Sequence, residues 1–104
     1  MLNPQMDKQA FHRHAKKYFK VLAVNAGIAA ADYDLRTNLG GPAVLGETTL
    51  HSDSVYVQTT ESMGIMVRSC RGRKDYTGGR NHFVKYGDFD GLISLVKKLS
   101  SQYI

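Results

Sequence analysis

Apolar positions recur at helical spacing near both ends of the chain and at strand spacing between them. Phe11, Ala15, Tyr18 and Leu22 stand at i, i+4, i+7 and i+11, one stripe of a 3.6-residue period, which predicts an amphipathic helix over residues 7–24. Asn3 or Asp7 offers a start cap and Gly27 a stop, and the Ala-rich segment 26–31 either prolongs the helix or leads out of it. Leu92, Leu95, Val96 and Leu99 form a second stripe, preceded by Asp88 or Asp90 as a cap, with Lys97 and Lys98 outside it. That pattern predicts a terminal helix.

The middle of the chain reads as β. Gly40-Gly41-Pro42 marks a turn, since proline cannot continue a ladder, and Ala43 to Leu50 then suggests a strand. Val55, Val57 and Thr59 alternate with Tyr56, Gln58 and Thr60, the period of two of a half-buried strand. Glu61-Ser62-Met63-Gly64 turns the chain, and Ile65 to Cys70 returns as its antiparallel neighbour. Further strand is expected from the region of Arg36 or from His82 to Tyr86. The fold class is therefore α+β, in the order α-β-β-β(-β)-α. A small antiparallel sheet carries two helices packed on one face. Its 104 residues make one domain, 1–104, near the commonest domain size. The element order resembles that of the double-stranded RNA-binding domain, but the likeness ends there. The basic cluster of that family opens its last helix, whereas Lys97 and Lys98 sit near the end of this one.

Charge changes the picture once it is mapped. The chain carries +5 overall. Residues 1–20 carry +4, residues 21–67 carry −4 and residues 68–85 carry +5. Such clustering points to a molecule with a basic side. The segment Arg68 to Lys85 also holds Gly72, Gly78 and Gly79, which let a backbone approach a partner closely. Arginine suits planar, bidentate contact with phosphate. The expected anion site comprises Arg68, Arg71, Arg73, Lys74 and Arg80 on phosphates, with Tyr76, Asn81 and His82 on sugar or base. Arg13, Lys16, Lys17 and Lys20 form a secondary basic face on the first helix. The expected partner is nucleic acid, DNA or RNA, or another polyanion. A protein-interaction module or inhibitor docking the same loop on an acidic partner is the alternative, as is a homo-oligomer. A short basic chain of this form also suits a phage or plasmid accessory protein.

Other chemistries find less support. No Gly-Lys-Ser/Thr follows Gly78-Gly79, and no Gly-x-Gly-x-x-Gly joins a strand to a helix, so nucleoside triphosphatase and Rossmann readings fail. His12 and His14 are spaced by two, which puts them on different helix faces. They are expected at the surface or in a cap, with no metal and no cofactor. Cys70 is the only cysteine, which rules out an internal disulfide and points to a reducing cytoplasm. Its arginine neighbours favour the thiolate, but a lone cysteine at a strand end is expected in packing. His82 and Tyr76 are the candidates for a phosphodiester-cleaving or nucleotide-directed activity; binding without catalysis is the leading expectation. Most of Tyr33, Tyr56, Phe83, Tyr86 and Phe89 are expected in the core or half-core. The hairpin tip Met63 to Met66 is expected there too, with a partner contact as its alternative. No apolar run approaches the ~18–20 residues that span a bilayer, and no membrane association is expected.

Overall fold

The computed structural model describes residues 8–38, 47–60, 64–75 and 79–101. Helix α1 (Lys8–Ala26) is followed by one turn of 3-10 helix (Ala30–Asp32) and by five strands. These are β1 (Tyr33–Asn38), β2 (Glu47–Ser52), β3 (Val55–Thr59), β4 (Ile65–Ser69) and β5 (His82–Val84), and α2 (Phe89–Ser100) closes the fold. The strands form a single antiparallel meander in chain order. The expected class stands, with one strand more than expected: the Arg36 region and the segment from His82 each pair, at opposite edges. The strand expected from Ala43 is seen over Glu47–Ser52; residues 40–46 and the proposed caps Asn3 and Asp7 lie outside the described residues.

Helix α1 buries an arc rather than a line. At about 100° per residue, Phe11, Leu22, Ala15, Phe19, His12 and Ala23 fall in that order within roughly 120°, and all six are buried. This arc corrects the surface position expected for His12. The ring lies inside the apolar sector, and its Nδ1 shares a 2.8 Å hydrogen bond with the Thr48 hydroxyl of β2. Gly27 ends the helix with φ +78°. Its amide donates to Val24 O at 3.2 Å while Ile28 N donates to Ala23 O at 2.8 Å. This paired return satisfies the last carbonyls and needs a left-handed residue at Gly27.

The sheet has two unlike faces. Leu35, Leu50, Val57 and Val67 stand opposite one another across β1 to β4, and Ile65 faces Val84 of β5. These side chains meet the helices in one core with Phe11, Phe19, Leu22, Leu92, Val96 and Leu99. Helix α1 lies over β1 and β2, α2 over β3 and β4, and the helices touch each other. Burying each large aliphatic side chain contributes about 1.5–3 kcal/mol, so this one layer carries the fold. Asp88 caps α2 by accepting from Gly91 N at 3.0 Å. The Tyr86 hydroxyl donates to Thr60 O and ties the exit of β5 to the β3–β4 turn.

Gly64 closes that turn with φ +89°, and a Cβ added there would run into the Val84 carbonyl of β5. Gly64→Ala is therefore expected to destabilise the protein by about 1–3 kcal/mol, read as a lowered midpoint in urea unfolding. A midpoint equal to that of the parent protein would contradict the packing described.

Candidate functional site

Alternation along the strands sends a second set of side chains to the face that neither helix covers. Asp34, His51, Tyr56 and Arg68 form one row across β1 to β4. Arg36, Thr49, Gln58, Met66 and Phe83 form the next, across all five strands. The Arg68 guanidinium lies 4.4 Å from the Tyr56 ring centroid, within cation–π range. His51 meets the same ring edge-on at 4.9 Å. At the far edge Phe83 is 43% exposed, the exception among the five aromatics of which most were expected in the core or half-core. Strand β5 pairs with β4 through Ile65, Met66 and Val67, and Phe83 falls on the side away from the two described helices. Towards β1 a shallow pocket of about 250 Å³ opens, lined by Arg36, Glu47, Thr49 and His51 among others.

The basic segment does not swing free of this face; its first half is clasped across one end of it. Cys70 N donates to Ser54 O at 2.9 Å, and His51 Nε2 is 3.0 Å from the Gly72 carbonyl. A carbonyl only accepts, so Nε2 carries the proton. Arg73 reaches furthest. Its Nε donates to Asp53 Oδ1 at 3.2 Å, Nη1 lies 3.6 Å from Asp34 Oδ1, and Nη2 donates to the Ala31 carbonyl. One planar guanidinium thus joins the loop to the start of β1 and to the β2–β3 turn, a geometry that lysine cannot copy. Asp75 accepts from Arg71 N at 3.0 Å and returns its own amide to Gly72 O at 3.1 Å, folding residues 71–75 into a closed turn. The segment rejoins the sheet where Gly79 N donates to Ser69 O at 2.9 Å.

The structure divides the expected anion-binding residues. Arg71, Lys74, Arg80 and Asn81 are exposed on the loop, and Lys85 is exposed after β5. Arg68 lies half-buried on the sheet, and Arg73 is held by two carboxylates. His82 stands opposite Val67, on the side that faces the helices, and is not brought together with Phe83. Tyr76 lies outside the described residues. Sequence reasoning missed Arg36, His51, Tyr56 and Phe83 as members of one surface. Each stands an odd number of positions from the core residue of its own strand, Leu35, Leu50, Val57 or Val84, and that alternation was the available signal. Arg13, Lys16, Lys17 and Lys20 are exposed on α1, beyond the edge of β1.

Two side chains with chemistry to offer are tied into the structure. Cys70 is buried, and its thiol donates to Ser52 O at 3.3 Å. Burial pushes its pKa up despite the neighbouring Arg68, so the thiol rather than the thiolate is favoured. Burial also pushes the His51 imidazole down, the Gly72 hydrogen bond offsetting only part of the effect. The arrangement offers cations, an exposed ring and a shallow polar pocket, which suit binding. No described helix is long and apolar enough to cross a membrane. No family of known proteins matches this chain, and no curated protein or solved structure is significantly similar to it.

The clasp is testable without altering any cleavage point. Asp34→Asn with Asp53→Asn is expected to release the loop, so that trypsin cuts after Arg71, Arg73 or Lys74 several-fold faster while the unfolding midpoint stays nearly constant. Exposed ion pairs contribute below about 1 kcal/mol each. Unchanged loop cleavage would show that Arg73 does not hold the loop.

His51 gives a pH dependence. The folded protein binds this proton less readily than the unfolded chain does, whose histidine titrates near 6.5. His51 therefore favours the folded state above about pH 6.5, and that contribution is lost as the pH falls through the lowered folded value. The thermal midpoint is expected to drop between pH 7 and pH 5, and His51→Gln is expected to reduce that drop.

Proposed function

We propose that the chain binds single-stranded nucleic acid, DNA or RNA, along the sheet face opposite its two described helices. Phe83 supplies the stacking surface, and the cations of the β4–β5 connection hold the phosphates. The observation that carries this reading is the exposed Phe83 ring on the sheet face away from both described helices, flanked in the chain by exposed Arg80 and Lys85. Every base has a face to stack, so such a ring accepts any sequence. A single strand leaves those faces open, whereas a duplex encloses them. Arg71, Lys74, Arg80 and Lys85 contact phosphate, and Asn81 hydrogen-bonds sugar or base. Arg73 gives the loop its shape rather than its charge. The Arg68–Tyr56 pair stiffens the platform beside Met66, which itself faces Phe83 across the strands. The clasp lowers the ordering cost of binding, because residues 71–75 are folded before the ligand arrives.

A labelled oligothymidylate or oligouridylate of about twelve nucleotides, within the usual span of a single-strand site, serves as the probe in fluorescence anisotropy. Log affinity is expected to fall linearly with log salt, by about 0.7 per phosphate neutralised. Arg80→Ala reduces that slope by about 0.7. Phe83→Ala weakens binding roughly 5- to 100-fold, the range for losing one stacked base, with the slope retained. Absence of binding at low salt overturns the reading. Full affinity in Phe83→Ala removes the sheet face from it.

A further inference from the structure

We propose that the groove between α1 and the outer edge of β1 takes an extended acidic peptide, which adds to the sheet as a sixth strand. This surface is distinct from the uncovered sheet face, and the inference is independent of the function proposed above. Strand β1 ends the sheet, and among the described residues no strand pairs with its outer side. Its backbone donors and acceptors on that side form a template for another strand.

The rotation of α1 decides what lies beside that template. On the helical wheel the sector holding Tyr18 faces α2, where the Tyr18 ring meets Phe89 at 5.0 Å. Near the opposite limit of the buried arc, just before Ala23, His12 bonds Thr48 of β2. Continuing past His12 at about 100° per residue, the next sector carries Lys16, Lys20, Arg13 and Lys17. The basic face therefore overhangs the β1 edge. With His12 and Thr37 of β1 these cations line a groove of about 600 Å³, a volume typical of ligand sites. Among the described residues none of the four cations pairs with a carboxylate.

Dimensions and charge select the occupant. From Arg13 to Lys20 the helix rises about 10 Å, and alternate side chains of a strand are about 6.7 Å apart. Two or three acidic side chains at every second position of an added strand would thus face the basic sector. Main-chain hydrogen bonds to β1 supply the register, and the charges select the sequence. Tyr33 and Leu35, on the helix-facing side of β1, are only partly buried, so the added strand also covers apolar surface. A second copy of this chain fits poorly at the same edge, since pairing β1 with β1 brings two sets of four cations together.

The test uses the intact protein and a labelled peptide of about seven residues, a usual strand length, alternating Glu with Thr. Two further peptides carry N-methyl groups on alternate amides, one in each phase, so that each lacks one set of donors. Saturable binding in low salt is expected, weakened at least tenfold by Lys16→Glu with Lys20→Glu and at least tenfold in one N-methylated phase only. Circular dichroism confirms that the charge-reversed variant is folded, and Lys16→Gln with Lys20→Gln replaces it if it is not. Equal affinity for both methylated peptides overturns strand addition. Equal affinity in the charge variant overturns the groove as the site. Competitive displacement of the peptide by oligothymidylate makes the groove a nucleic-acid site and overturns the proposal, as does failure to bind at all.

Discussion

The fold depends on burial from one side. Both helices press on the same face of the five-stranded sheet, and Phe11, Phe19, Leu22, Leu92, Val96 and Leu99 meet Leu50, Val57, Ile65 and Val67 there. Nearly all the apolar area that stabilises the domain lies in this layer. The opposite face has no such duty. It can hold Arg36, His51, Tyr56, Arg68 and an exposed Phe83 without weakening the core, because alternation isolates the two sets of side chains from each other. The freedom of one face is the consequence of the completeness of the other.

The basic loop illustrates how local charge is reshaped by folding. In sequence, residues 68–85 form one block of cations with Asp75 as the single acid. In the structure, Asp75 is consumed in closing the turn at Arg71, and Arg73 is drawn onto Asp34 and Asp53 from distant parts of the chain. Each exposed ion pair is weak, but one rigid guanidinium bearing three contacts fixes a direction for the loop. Lys74, Arg80 and Lys85 face outward, beside a backbone held in place by His51 and Ser54.

The two positive segments end on different parts of the molecule. The loop borders the uncovered face, whereas the α1 cations stand over the edge of β1 on the helix side. A sheet face with an exposed ring and a strand edge that no described strand pairs, beside the α1 cations, are chemically unlike surfaces. The first favours stacking and phosphate contact, and the second favours main-chain pairing with carboxylates.

Periodicity alone carried the helices, the β3–β4 hairpin and the one-sided packing, since residue spacing at 3.6 or 2 states which face an element buries. Residue type also marked Gly27 as a stop and Asp88 or Asp90 as a cap, of which the structure uses Asp88. The block of cations was equally plain, and so was the burial of Cys70. Partnership was not legible in the chain. Arg73 and Asp34 are far apart in sequence, and only strand order brings them to one end of the sheet. His12 looked like a surface residue because its sector depends on the full buried arc and on Thr48 beneath it. Phe83 looked like core because hydrophobicity does not reveal which side of a three-residue edge strand faces solvent. Local pattern alone stated the two helices, the central hairpin and where positive charge is stored, but not the full count of strands. The tertiary structure decided which charges stay available and which surfaces they border, because pairing between distant strands is a property of topology and not of local pattern.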